Sequence, residues 1–494
     1  MGLRNYLGFV SGSDEHTRPY LLEIRSARSF IVFTVTFAVS TDIFMYGLLV
    51  PMTPTALEHK LGMPENEIQS WTSILLALYS AAFLLSSPIL GHFADRAKSR
   101  QWPLVLGLIA LGVATALLCI GTNIGLWIAG RLLQGAAVSV VWTVGLALLV
   151  DTVGKEELGQ AIGYVSMGLN IGILAGPVVG GVVYQHGGYY AVFGLAFGLI
   201  GIDLLLRLVL IEKKQAARWL VPGRSPLTIF ERQADTRTSF SVPGTDEPTN
   251  TSKMPRPLHH THPLRQVATL LSSHRLVVSL WGHFVVSLVL TSFDSVLPLF
   301  VQELFGWRQS GQGLIFTALV VPHVLDPFTG LLIDRVPKTA RYLISVAFLC
   351  AIPPAVLLRL IMTNSMHDKV LLCVLLALLG LCLATAITPL TLEVFHALEE
   401  KELELPGRFG LGGAVALAFG LSNMAFAAGS LVGPFFAGYI RQSAGWDTMG
   451  WAIGLIAGVS SVPTFLCSGG WIMKKRTDGQ HASQSVQPSQ RNEA

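Results

Sequence analysis

The chain has 494 residues, of which 51% are hydrophobic and 13% charged, where a soluble domain carries about 25% charge. Its mean hydropathy is +0.56, and the basic residues behind its net charge of +4 fall between apolar runs. This composition excludes a water-soluble enzyme, offers no case for a nucleic-acid partner, and reads as a polytopic membrane protein.

Residues 1–28 form a polar tail with Asp14, Glu15 and Glu23, unlike a cleavable signal peptide. A hydrocarbon core of about 30 Å takes about 20 apolar residues per helix. Runs of that length predict twelve spans, near 30–50, 71–91, 103–122, 124–150, 161–184, 189–211, 276–301, 311–333, 342–362, 369–391, 413–438 and 449–471. A polar stretch rich in Pro, Ser, Thr, Arg and His separates six spans from six and reads as a flexible linker. The expected organisation is a tail over 1–28, a first half over 29–211, a cytoplasmic linker over 212–274, a second half over 275–473 and a tail over 474–494.

Of the 34 Lys and Arg residues, an arrangement with both termini inside leaves four outside: Lys60, Arg308, Lys369 and Arg441. Three more are intramembrane, so the other 27 lie on the inner side (34 less four less three), which sets the orientation by the positive-inside rule. The sequon at Asn250 then falls in the cytoplasmic linker and is expected to stay unmodified. Five cysteines (Cys119, Cys350, Cys373, Cys382, Cys467) are scattered through apolar segments, which argues against a disulfide framework or a zinc site. His259, His260 and His262 lack a Cys or carboxylate at ligand spacing. No metal and no cofactor is expected.

The sharpest motif is in span 5: Gly163, Gly172, Gly176, Pro177, Gly180 and Gly181. A weaker copy follows 257 residues on, at Gly420, Gly429, Gly433, Pro434 and Gly438. Glycines four apart clear one helix face for close approach, and the proline bends the helix. A second repeat lies at the inner ends of spans 2 and 8. Gly91-His-Phe-Ala-Asp95-Arg96 and Gly330-Leu-Leu-Ile-Asp334-Arg335 both read G-x-(F/L)-x-D-R. An Asp there can pair with a helix end, and an Arg can hold the loop at the phosphate surface. These six residues are the candidate conformational gate. The two repeats together predict an all-α polytopic fold of twelve transmembrane helices in two pseudo-symmetric six-helix halves.

At these residues the sequence resembles the major facilitator superfamily, over essentially all twelve spans. Gly91, Asp95, Arg96 and Arg100 match its span 2–3 motif, although Lys98 and Ser99 depart from it. Arg131-Leu-Leu-Gln134-Gly135 matches the family's R-x-x-Q-G. The full glycine pattern resembles the twelve-span drug:proton antiporter branch. The tracts from Thr41 to Pro51 and from Val141 to Asp151 resemble fungal members related to vesicular amine transporters. The resemblance implies a central cavity between the halves, opened alternately to either side.

Ionisable residues inside spans are functional candidates by default. Asp42 lies about 18 Å from the inner face and Arg131 about 10 Å from the outer one, at 1.5 Å per residue. Their depths nearly coincide, so a pair or a shared network is expected, as a proton-coupling device or as a static ion pair. Asp42, Gln134, Trp142 and Asp294 are the candidate cavity residues, with Asp294 taken as the counterpart of Asp42 in the second half. Asp203 and Arg207 should pair along one helix face. His323 and Asp326 precede Pro327 as possible titrating groups. Glu393 is expected to face the cytoplasm, and Arg359 to reach outward to the interface. Gly176-Pro177 in the outer half of span 5 is expected to pack the outer gate.

No P-loop signature occurs, so transport would run on a gradient. The leading expectation is a proton-coupled antiporter exporting amphipathic organic compounds. Its expected partners are a small-molecule substrate, protons and the bilayer, with no nucleic acid, and it should act as a monomer in the plasma membrane, or a vacuolar or vesicular one. An uptake symporter is the alternative, though Ile211-Glu-Lys-Lys replaces the charged box that sugar carriers bear after span 6. A receptor or scaffold would have no need of Asp42 and Arg131 at one depth.

Overall fold

The computed structural model describes residues 19–49, 52–97, 99–220, 263–307, 309–336, 338–405, 408–409 and 413–470. Lys98, Asn250, His259, His260 and His262, together with the stretches 1–18 and 471–494, lie outside the described residues. Among the described residues the chain is helical and holds no β-strand. Ten helices are long and apolar enough to cross a bilayer. Two of them, Leu158–Val209 and Val415–Cys467, run to 52 and 53 residues, about twice what one crossing needs. Each is broken by one glycine in left-handed backbone, Gly188 at φ 74° and Gly445 at φ 89°. These breaks fall where the sequence pattern expects turns between spans 5 and 6 and between spans 11 and 12.

Local chemistry fixes three of the helix starts. The side chains of Asn123, Ser273 and Ser365 accept from the amides of Leu126, Leu276 and Asp368 at the starts of Ile124–Thr152, His274–Phe305 and Met366–Glu404 (spans 4, 7 and 10). Span 8 is not one helix. Gln309–Val320 passes through a 3-10 turn, Val321–Leu325, into Asp326–Arg335, because Pro322 and Pro327 each remove a backbone donor. The linker is more ordered at its ends than its composition suggests. Lys213–Leu220 and Pro263–Leu271 are helices. The first is anchored where Glu212 accepts from Gln101 N at 2.8 Å and Lys213 Nζ donates to Thr152 O at 3.0 Å. Charged side chains that meet free backbone groups at helix ends order the chain there.

The glycine strip of span 5 meets two different partners. A Cβ added at Gly172, Gly176 or Gly180 would stand 2.5, 2.8 or 2.6 Å from the carbonyl oxygens of Ser40, Phe44 and Leu48 in span 1 (Arg28–Leu49). Gly168, which the motif did not include, meets Thr36 on the same line. Nothing lies within 4 Å of that point at Gly181 or Gly438. Gly163, nearer the start of the helix, faces the Asp326 carbonyl in span 8. The expectation that Gly176 packs an outer gate is therefore corrected: it binds spans 1 and 5 within one half. In the second half Gly429 meets the Phe284 carbonyl and Gly433 the Leu288 carbonyl of span 7.

These contacts fix the register between the halves. Ser40 corresponds to Phe284 and Phe44 to Leu288, a shift of 244 in both cases (284 less 40, 288 less 44). Asp42 then corresponds to Val286, so Asp294 is not its counterpart; it lies eight residues further along span 7. Backbone close approaches set the alignment, and approximate place within a span does not.

The apolar core shows how the halves meet. One buried cluster joins Val141, Leu148 and Ile162 of the first half to Leu392, Leu417 and Phe419 of the second. Towards the outer side the clusters divide. Met45, Leu48, Leu75, Trp127 and Phe193 pack within the first half, and Val285, Phe293, Phe348 and Leu376 within the second.

Candidate functional site

Two latches close the seam between the halves at the end where spans 2 and 8 finish. Span 11 begins at Val415 and span 5 at Leu158, so the next two amides of each have no intrahelical acceptor and lie at the positive end of a helix dipole. The Asp95 carboxylate accepts from Ala416 N at 2.9 Å and from Leu417 N at 2.8 Å. The Asp334 carboxylate accepts from Gly159 N and Gln160 N, both at 2.8 Å. The gate glycines permit this approach. A Cβ at Gly91 would stand 2.5 Å from Ala416 O, and one at Gly330 would stand 2.0 Å from Gly159 O. Of the six gate residues, these four meet the opposite half, while Arg96 and Arg335 are exposed.

The basic partner of the first latch is Arg100. Its guanidinium donates to Asp95 Oδ1 at 3.2 Å, to Ala94 O at 2.8 Å and to Asp151 Oδ2 at 3.3 Å. Asp151, at the inner end of span 4, stands among the quoted tracts, but no local signal marks it as the far end of this chain of charges.

Deeper in the first half, Asp42 is fully buried, and neither carboxylate oxygen has a hydrogen-bond partner among the described residues. Arg131 is equally buried, but donates to Gln134 Oε1 at 3.1 Å and Thr53 Oγ1 at 3.4 Å. The expected hydrogen-bonded pair of Asp42 and Arg131 is therefore not formed. They share a neighbour instead: the Tyr79 hydroxyl is within electrostatic reach of both. Its ring lies 4.7 Å from that of Tyr46, centroid to centroid. Tyr79 was not foreseen, because an aromatic in a span carries no signal of what it faces. Charge at Asp42 is also felt by Asp203 and Arg207, which do pair, at 2.6 Å, fully buried.

Asp294 is the second half's contribution. It is exposed, makes no hydrogen bond or ion pair among the described residues, and lies within electrostatic reach of Tyr46 across the seam. Trp142 is half-buried, its ring 6.5 Å from Phe83, and its indole N–H has no partner among the described residues; neither has the Gln134 amide nitrogen. On the outer side spans 2 and 11 part. An open apolar groove of about 710 Å³ lies between Ala77 and the face formed by Val432, Phe435, Phe436 and Tyr439. The seam is thus latched at one end and carries an open apolar groove towards the other.

The remaining charges sort by contact. Glu393 does not face the cytoplasm: it is buried, takes a two-pronged pair from Arg275, and accepts from Gly469 N at 2.8 Å. Those donors from spans 7 and 12 offset its desolvation. Arg359 is exposed. His323 Nδ1 and Asp326 Oδ2 lie 3.2 Å apart in the broken stretch of span 8. No group of three or more metal-ligating side chains occurs among the described residues.

A sequence profile of the Major Facilitator Superfamily matches residues 32–403. The chain is 34% identical over 471 residues to the MFS-type transporter ppzB of Metarhizium rileyi, covering 91% of this chain and 97% of that one. It is 26% identical over 275 residues to Multidrug resistance protein 1 of Bacillus subtilis, 55% of this chain and 58% of that one. Among solved structures it is similar to the human organic anion transporter MFSD10, with a TM-score of 0.59 and 16% identity, covering 89% of this chain and 99% of that one. That last likeness bears on the fold alone.

Proposed function

The chain belongs to the Major Facilitator Superfamily and is a multi-span membrane transporter, and from this premise we propose that it is a proton-coupled antiporter exporting amphipathic organic compounds. The observation that carries the reading is Asp42, a buried carboxylate without a hydrogen-bond partner among the described residues, whose neighbour Tyr79 also senses Arg131. An uncompensated carboxylate in a span is costly, and binding a proton removes the cost. Asp294, exposed opposite Tyr46, supplies an anionic contact for a cationic substrate. Trp142 and Gln134 add an apolar face and a free amide. The similarity to a multidrug resistance protein, though distant, favours export over uptake. Alternating access follows from the latches: Asp95 and Asp334 hold the inner side shut while the outer side is parted, and their release reverses the two. The plasma membrane is the proposed location.

The test is transport in proteoliposomes under an imposed pH gradient, with a panel of organic cations and neutral amphipaths. Uptake into vesicles that are acidic inside, lost when the gradient is collapsed, is the expected result. Movement only in the direction of the proton would replace the antiporter with a symporter.

A further inference from the structure

Asp42 in one half and Asp326 in the other are buried carboxylates with an oxygen that has no partner among the described residues, and each stands where the opposite half has no carboxylate. Asp42 corresponds to Val286 on the register above. The converse case lies in span 8, where Gly163 of span 5 packs on the carbonyl of Asp326 and on Pro327. The matching contact in the other half is Gly420 of span 11 on the carbonyl of Ser87 and on Pro88. Asp326 therefore stands where the first half has Ser87, whose hydroxyl is satisfied by Phe83 O at 2.7 Å. Asp326 and His323 are 0% and 1% exposed and 3.2 Å apart, and the outer oxygen of one (Oδ1) and the outer nitrogen of the other (Nε2) have no partner among the described residues.

We propose that His323 and Asp326 form a second proton-binding site, in the half opposite Asp42, and that release of its proton opens the seam between spans 5 and 8. Without the proton the dyad carries one net negative charge; with it, none. A net charge held dry in a closed seam is costly, so the empty dyad favours the state in which water reaches it. The broken helix places the dyad where this acts, since the Asp326 backbone is itself part of the contact with Gly163. Other titratable groups on the elements packed here include Tyr164 on span 5, Cys373, Cys382, Glu393 and His396 on span 10, and Asp334 and Arg335 on span 8 itself. Glu393 is held by Arg275. Asp334 acts on the same seam with the opposite sign, because protonating it removes a latch and opens the seam at low pH. Arg28 and His396 act on Asp334.

The proposal deepens the proton-coupled reading and rests on it for its role in transport, but its test uses no substrate. Spin labels at the exposed positions Glu156 and Val336 straddle the seam. In the full chain in nanodiscs, the distance between them should lengthen as pH rises into the alkaline range, and Asp326→Asn should hold it short there. Infrared difference spectra between acid and alkaline pH should lose one carboxylic-acid band in Asp326→Asn and retain it in Asp42→Asn. His323→Gln, the milder variant, should shift the midpoint of both signals. An unchanged band and an unchanged distance profile in Asp326→Asn, or an unshifted midpoint in His323→Gln, would overturn the proposal. Flux measurements decide the antiporter reading separately.

Discussion

Asp95 of span 2 and Asp334 of span 8 hold equivalent places in the two halves, and each grips the first free amides of a helix in the half opposite. The four hydrogen bonds, all within 2.8–2.9 Å, are charge-assisted and aligned with a helix dipole, so they belong to the stronger class of surface-side contacts.

Replacing either aspartate with alanine should release one latch. Hydrogen bonds to charged groups contribute roughly 1.5–3 kcal/mol each. Single variants should therefore raise labelling of a cysteine placed at the cytoplasmic seam by at least about tenfold, since 1.4 kcal/mol is a factor of ten. The Asp95→Ala/Asp334→Ala double variant should label more than either. Equal labelling in wild type and double variant would show that the apolar cluster alone closes the seam.

Gly330→Val should prevent closure without preventing insertion, because its Cβ falls 2.0 Å from a backbone carbonyl of the other half while its own half keeps its contacts. Normal abundance with loss of flux is the expected phenotype. Gly181→Ala, with nothing in reach, serves as the silent control.

Gly172→Leu should behave differently. It separates spans 1 and 5 inside one half, so the loss appears in folding: a lower melting temperature in detergent and reduced abundance. Overpacking of this kind costs about 1–3 kcal/mol and often more where the obstacle is backbone. A stable, inactive protein would restore a gating role to this part of the motif.

The buried pair Asp203–Arg207 provides a stability cycle. Either single substitution, Asp203→Leu or Arg207→Met, should cost about 3–5 kcal/mol by stranding a charge, and the double substitution should regain most of that. Thermal unfolding of the four proteins measures the coupling. Additive losses would show that the two residues act independently.

Asp42→Asn should abolish gradient-driven flux yet leave downhill exchange, since the cavity persists while its proton site is lost. Asp294→Asn should weaken binding of cationic compounds and spare neutral ones. Driven flux that survives in Asp42→Asn would move the coupling role elsewhere in the protein.

Much of the fold can be read from the residues because a membrane span declares itself by length and apolarity. The two G-x-(F/L)-x-D-R copies even mark which residues latch. Their partners cannot be read: Ala416 lies 321 residues from Asp95 and Gly159 lies 175 from Asp334, and amides at a helix start carry no side-chain signature. The glycine motif likewise announces close packing without saying that Gly163 faces one half and Gly176 the other. Asp42 and Arg131 have matching depth, but depth leaves the angle around each helix free, and it is Tyr79 that stands near both.

The single left-handed residues Gly188 and Gly445 leave almost nothing protruding between spans 5 and 6 or 11 and 12. An epitope tag or reporter domain inserted at either would have to unwind a helix end to find room, and an antibody would find little there to hold. Outside labelling therefore belongs between spans 1 and 2, where the chain makes its own short helix, Thr53–His59, and the exposed Glu58, His59, Gly62 and Pro64 offer the surface that those two turns withhold.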